Sequence, residues 1–395
     1  MFLLRNGVKH YDWGSPSAIP QFLGDSGDDR PVAEMWIGTH PLSPSSVVDA
    51  TGAEKPLTDV AGNLSFMVKL LAADRPLSLQ VHPSRSLAEI GYAREQEAGV
   101  PLDAPERVYK DANHKPEMVY ALSTFDSLIG FRPSAEILRV LGPLDTPLTQ
   151  RLADQLRDDP GFATIVGLIE QLLEEGVSAQ QVHEIVEKCR SLSAVDFDIK
   201  RAYQTAVEVA EHHPDDVGVV ISLMLNRMTL QPGEAAYLET GVIHAHLKGL
   251  CLEVMATSDN VLRAGLTNKH IDTAGLVACL ESGMARVARV TPDFIAYDTE
   301  VFSPSGGGFT LAVTQISAAA PDGVELVRSD GSVLICTGGD VRVALDGEAG
   351  FALRRGESLY LAPEDRGARV YGLGEVAQVY VPPSRSLRSR LVDVV

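Results

Sequence analysis

A nine-residue pattern occurs twice in this chain and constrains its fold more than any other feature. Leu230-Gln231-Pro232-Gly233-Glu234-Ala235-Ala236-Tyr237-Leu238 and Leu353-Arg354-Arg355-Gly356-Glu357-Ser358-Leu359-Tyr360-Leu361 share the form Leu-x-x-Gly-Glu-x-x-Tyr-Leu. Each copy sits among β-leaning runs, such as Val341-Arg342-Val343-Ala344-Leu345 before the second. A glycine makes the turn, and the residues beyond it alternate inward and outward, as in the short strands of a double-sheet jelly roll. The chain is therefore expected to be mainly β, with two related jelly-roll β-barrel lobes. Its 395 residues exceed one ordinary domain and leave room for a third part.

That third part is helical. From about 146 to 216 the hydrophobic period changes from two to 3.6. Phe162, Ile165, Leu168, Ile169 and Leu172 form one stripe, and Val182, Ile185, Val186 and Cys189 a second. Ser178, with Gln181 three residues on, reads as a capping box. A third helix is expected from about Phe197 to His213, stopped by Pro214. Strands are expected at Ser65–Leu71, Leu77–His82 and Val217–Leu225, and one further helix from Ser84 to about Gly99. The expected organisation is a first barrel split into 1–145 and 217–290, a helical insertion at 146–216 and a second barrel at 291–395.

The formal net charge is −19, and the insertion alone, with 14 acidic and 6 basic residues, carries −8 of it. Such a field repels nucleic acid and anionic membranes, so neither is an expected partner. No apolar run approaches the roughly 20 residues of a membrane span. Met1 to Asn6 do not form a basic segment leading into a signal-length apolar stretch, so a cytoplasmic protein is expected. Cys189, Cys251, Cys279 and Cys336 are too widely spaced for a thiolate zinc site and too few for a disulfide scaffold. Any metal must then be held by nitrogen and oxygen.

Histidine separates the two barrels. His244 and His246 follow the first copy of the pattern, whereas the equivalent stretch of the second, Gly367 to Arg369, has none, and His270 is the last in the chain. Chemistry is expected in the first barrel. Four segments there carry it. In Gln80-Val81-His82-Pro83 a strand would place Gln80 and His82 on one face, either as two ligands of one ion or as a polar strand end. Lys115 and Glu117 share a face if their segment is extended, as a surface pair or as the entry of a carboxylate into a core. His244 and His246 are each either a core histidine or a ligand. Glu253 interrupts an apolar strand, and Arg263 and Lys269 follow in a loop suited to an anion.

These segments together resemble the type I phosphomannose isomerases, also called mannose-6-phosphate isomerases, zinc enzymes of the cupin class. The resemblance rests on Tyr11-Asp12-Trp13-Gly14-Ser15, Ala33-Glu34-Met35-Trp36-Ile37-Gly38, Leu77 to Pro83 and Asn113 to Met118. Ile243-His244-Ala245 and Glu253 through Arg263 to Thr267 complete it, in family order. It implies one Zn²⁺ per chain on Gln80, His82, Glu117 and His244, and an active-site arginine at Arg263. Lys115, His114 and Glu253 become candidates for proton transfer. Ser78, Lys69, Asp259, Lys269 and Trp13 become candidates for substrate binding, Ser78 toward the phosphate. The implied reaction interconverts mannose 6-phosphate and fructose 6-phosphate through an enediol, on a monomer or weak homo-oligomer. One position departs from the family: His246 stands where an aromatic residue commonly lines the pocket. Two other classes, a cupin metal oxygenase and a non-catalytic sugar-phosphate-binding cupin, are opposed by the few histidines and by the retained Arg263. No Gly-rich nucleotide loop precedes the barrel, so a fused nucleotidyltransferase is not expected.

Overall fold

The computed structural model of the chain describes residues 1–48, 52–192, 197–280, 288–296 and 298–382. It is mainly β, with two 11-stranded sheets and a set of helices concentrated between Ser134 and Ser222. Both copies of the repeated pattern form the same turn. Gly233 and Gly356 each take φ +90°, a left-handed value that only glycine adopts without strain. The glutamate after each glycine latches the turn: Glu234 Oε2 accepts from the Gln231 N–H at 2.8 Å, and Glu357 Oε2 from the Arg354 N–H at 2.7 Å. The short strands Ala235–Leu238 and Ser358–Leu361 follow.

The chain divides into two compact units. One comprises Met1–Gly7, Ile37–Val68 and Pro292–Val395; the other comprises Val8–Trp36 and Lys69–Thr291. The sequence places all of 1–145 in the first lobe, whereas Met1–Gly7 and Ile37–Val68 group with Pro292–Val395 through strand pairing. Strand Phe2–Arg5 pairs with Ser358–Leu361, Phe2 opposite Tyr360, and Ser46–Val48 pairs on its other side. Such distant backbone pairing leaves no local pattern in the sequence. This unit buries Leu334, Val343, Leu353, Leu359, Val370 and Val376 in one apolar cluster.

In the other unit the helices follow the stripes read from the sequence. Helix Phe162–Glu175 buries Ile165, Leu168, Ile169 and Leu172, and helix Ala179–Ser191 buries Val182, Ile185, Val186 and Cys189. The Ser178–Gln181 capping box is formed on both sides. Helix Phe197–Ala210 is the third, and Ser84 caps helix Arg85–Glu97 by accepting from the Leu87 N–H. The helical stretch also begins earlier than expected, at Ser134–Leu141. One expectation fails. Val217–Leu225 is not a strand: Val217–Ser222 is a short helix, capped by the Asp216 carboxylate on the Gly218 N–H at 2.6 Å. Val219, Val220 and Ile221 are all buried, and a short run apolar on every side carries no period to read.

Strand His244–Ala256 organises the sheet of this unit. Its first half pairs with Phe125–Phe131, and its second half, Cys251 to Met255, with Glu117–Ala121. The register shifts between His246 and Lys248, and Gly249 takes φ +123°. A Cβ on Gly249 would stand 2.5 Å from the Thr124 carbonyl oxygen. The strand therefore turns sharply at a residue that has no side chain.

Candidate metal centre

That turn brings together residues a straight strand would separate. His246 and Glu253 are seven residues apart, roughly 23 Å along an extended chain. Yet His246 Nε2 lies 3.2 Å from Glu253 Oε1. Cross-strand register adds the neighbours. Gln80, on strand Leu79–Val81, stands opposite His244 on one side and Arg263 on the other. Directly opposed residues share a sheet face, so Gln80, His244 and Arg263 point the same way. Glu117 opens strand Glu117–Ala121 opposite Met255. His82 follows Leu79–Val81 and is buried.

Three ligand-type atoms converge in this space. His82 Nε2 lies 3.3 Å from Glu117 Oε1, and His244 Nε2 lies 3.4 Å from Glu117 Oε2. His82 Nε2, Glu117 Oε2 and His244 Nε2 are buried and have no hydrogen-bond partner, a costly state for polar atoms left alone. Neighbouring ligands of a tetrahedral ion with bonds of about 2.0–2.1 Å are separated by about 3.3–3.4 Å, the spacing found here. The tautomers agree. His82 donates its Nδ1–H to the Asn260 carbonyl at 2.7 Å, and His244 donates its own to the Val242 carbonyl at 2.9 Å. Each leaves the Nε2 lone pair directed at the shared position, because a hydrogen bond from the other ring nitrogen fixes the orientation of a metal-binding imidazole. His82, Glu117 and His244 therefore fit a divalent cation.

Charged groups surround them. Lys115 Nζ lies 2.9 Å from Glu117 Oε1. Burial alone would raise the Glu117 carboxyl, but Lys115 and His82 outweigh it and hold it well below the usual range. Burial, then Lys115, pushes the His82 imidazole down to about 4, so it is neutral near pH 7. On strand Phe66–Ala73, Lys69 lies 3.1 Å from Glu253 Oε2 and 3.3 Å from Glu34 Oε1. Burial opposes the Lys69 charge, yet Glu253 and Glu34 raise its value above the ordinary. Burial likewise opposes the Glu253 carboxylate, and Lys69 prevails to bring it down to about 2.

Of the other residues singled out from the sequence, Arg263 shares a sheet face with Gln80 and His244. Arg263 is half-buried, and burial pulls its value down; Lys269, exposed, is lowered by burial and by the charge of Arg263. Asp259 belongs to a loop held by Asp111, whose Oδ2 accepts the Asp259 N–H at 2.9 Å. His114 is half-buried and lowered by burial and by Arg85, a residue of the neighbouring helix rather than of the ligand cluster. Ser78 is half-buried just before strand Leu79–Val81. The Trp13 ring packs against the apolar cluster of Leu71, Val119 and Phe125 and stacks on Tyr11 at 5.6 Å. Three residues were not singled out. Glu34 is a charge in a strand buried throughout, a signal visible in Glu34-Met35-Trp36-Ile37. Asn260 serves through its carbonyl and Ser127 through its place opposite His246, and neither leaves a mark in the sequence.

Comparison with known proteins accords with this geometry. Residues 1–134 match the model of the phosphomannose isomerase type I catalytic domain. The mannose-6-phosphate isomerase of Escherichia coli is 34% identical, over 95% of this chain and 98% of its own. The chain belongs to the type I phosphomannose isomerases. The family member from Homo sapiens is 31% identical over 86% of this chain and 88% of its own. Among solved members of the family, the Salmonella typhimurium enzyme bound to fructose 6-phosphate and zinc superposes with a TM-score of 0.84 at 30% identity, covering 97% of this chain and all of that one. A zinc-bound mannose 6-phosphate isomerase gives a TM-score of 0.85 at 31% identity, covering 97% of this chain and 99% of that one. No described helix is long and apolar enough to cross a membrane.

Proposed function

We propose that the chain is a zinc-dependent isomerase that interconverts mannose 6-phosphate and fructose 6-phosphate through an enediol intermediate. One observation carries this reading: the buried, unpartnered Nε2 atoms of His82 and His244 meet Glu117 at ligand spacing, in a member of a family whose solved structures hold zinc. Gln80, opposite His244, is the fourth ligand. We read the two units as cupin-type jelly rolls, the unit of Val8–Trp36 and Lys69–Thr291 being catalytic, with the helices as its insertion.

The open-chain aldose must lose a proton at C2 and gain one at C1. The zinc ion, when bound, supplies Lewis acidity toward substrate oxygens as negative charge develops on them. The buried groups Lys69 and Lys115 against Glu34, Glu117 and Glu253 leave one negative charge, which a divalent ion turns into one positive charge. That balance suits an anionic intermediate. Arg263, facing the same way as Gln80, holds the substrate and its developing charge, and Lys269 with Ser78 takes the phosphate. Lys69, Asp259 and Trp13 complete the binding surface. Glu253, held near 2 between Lys69 and His246, is a poor proton acceptor and serves as a fixed anion. Proton movement falls to His114 and Lys115; His114, lowered by burial, is neutral at pH 7 and able to accept. The enzyme works in the cytoplasm, as a monomer or weak homo-oligomer.

A coupled isomerase assay before and after chelation tests the reading, with elemental analysis of the same sample. One zinc per chain and turnover that returns only with zinc are expected. Full activity in verified metal-free protein would remove the metal from the mechanism, and iron in place of zinc would point to an oxygenase. Arg263→Ala should keep zinc and lose turnover.

A further inference from the structure

His244 and His246 stand two residues apart on one strand, yet their rings are oriented in opposite chemical senses. His82 and His244 donate Nδ1–H to backbone carbonyls and keep a lone pair on Nε2. His246, fully buried, has no carbonyl at Nδ1; that atom lies 3.0 Å from Ser127 Oγ, and its Nε2 lies 3.2 Å from Glu253 Oε1. An ionised carboxylate can only accept, so Nε2 carries a proton, and in the neutral ring Nδ1 then takes the Ser127 O–H. Both ring nitrogens are then engaged, and none is left for a cation. Although Glu117, His246 and Glu253 lie close enough to hold an ion, Lys69 already provides the cation there. The contacts run on without a break from Ser127 through His246, Glu253, Lys69 and Glu34 to Trp36, whose Nε1–H donates to Glu34 Oε2 at 2.7 Å.

We propose that His246 is a positioning residue for Glu253: with its tautomer set by Ser127, it holds one carboxylate oxygen while Lys69 holds the other. A carboxylate held at one oxygen alone can rotate toward the metal ligand Glu117; held at both, it stays in a single plane. A phenylalanine at this position would fill the space and leave Glu253 Oε1 without its donor. The inference rests on the isomerase reading in that Glu253 borders the reacting sugar.

The test combines tautomer and turnover. In zinc-loaded protein carrying ¹⁵N-histidine, His82 and His244 should show the Nδ1–H tautomer and His246 the Nε2–H tautomer, and Ser127→Ala should broaden or shift the His246 signals alone. His246→Phe should lower kcat by about 10-fold to 100-fold, the range typical when a hydrogen bond supporting a site residue is lost, with KM changed less than about threefold and zinc still at one per chain. His246→Gln, which returns an N–H near the position of Nε2, should recover most of that kcat. An Nδ1–H tautomer at His246 would overturn the proposal. So would equal losses in the Gln and Phe variants, which would make the role one of packing, or loss of zinc from the Gln variant, which would make His246 a ligand. The tautomer measurement needs no turnover. A parent protein without isomerase activity would therefore sink the functional reading while the tautomer still decides this one.

Discussion

The strands that follow the two copies of the repeated turn differ in what they bury. His244–Ala256, after the first copy, turns His244, His246 and Glu253 into the interior. Arg369–Tyr380, after the second, turns in Val370 and Val376, which join Leu334, Leu353 and Leu359. The glycine conformation and the glutamate latch are the same in both. What differs is how each interior is stabilised. An apolar interior gains about 1.5–3 kcal/mol for each large side chain buried, with no demand on direction. A polar interior must answer every charge with a partner, so each side chain there is fixed in orientation. The first arrangement tolerates repacking; the second can perform chemistry.

Substitutions in the two regions should separate these regimes. His244→Ala should lower zinc affinity by more than about 100-fold, since removing a ligand costs more than removing its support, and turnover should fall to background. Competition with a chromogenic chelator reads the first effect. In the other unit Leu359→Ala should lower unfolding free energy by about 2–5 kcal/mol in urea, with zinc content and kcat per folded molecule unchanged. Zinc loss in that variant would end the assignment of the chemistry to one unit.

Glu253→Gln gives a pH signature. The folded Glu253 carboxyl lies near 2, below its ordinary 4.5. Its charge therefore adds stability that is fully present above about 4.5 and is lost as pH falls toward 2. Stability measured across pH 2–5 should fall less steeply in the Gln variant than in the parent; equal slopes would mean that Glu253 is not held as an anion. The smallest effect should be shared by both regions. A Cβ added at Gly233 meets no atom within 4 Å, and Gly356 has the same φ of +90°, so backbone strain alone predicts a cost of about 1 kcal/mol for Gly233→Ala and for Gly356→Ala. Markedly unequal costs would show that the two turns are not energetically equivalent.

The parts of the fold that were legible were those written in local patterns. The stripes at Ile165–Leu172 and Val182–Cys189, the Ser178 capping box and the two Gly-Glu turns all depend on residues within a few positions of one another. The helix at Val217–Ser222 was not, because its apolar run has no exposed face to set a period. The grouping of Phe2–Arg5 with Ser358–Leu361 was not, because backbone pairing has no side-chain signature. In the site, Glu117, His82, His244 and Lys115 were visible as charged or ligand-type residues in apolar surroundings. Ser127 and the Asn260 carbonyl were hidden: a serine in a strand and a backbone oxygen look ordinary until the neighbouring strand is in place.

The bend at Lys248–Gly249 has a consequence for how such a chain can change in length. It is the joint between the half of the strand that bears His244 and His246 and the half that bears Glu253. Because successive strand residues face opposite sides, losing or gaining one residue in either half would turn its inward set outward. A two-residue change keeps that parity but moves Glu253 along the sheet, out of reach of His246 or Lys69. Lys248 is exposed, so the joint resembles a surface loop in which length variation would pass unnoticed. Here the reading frame of the inward sheet face depends on it, and natural indels should be rarer between 246 and 253 than exposure alone would suggest.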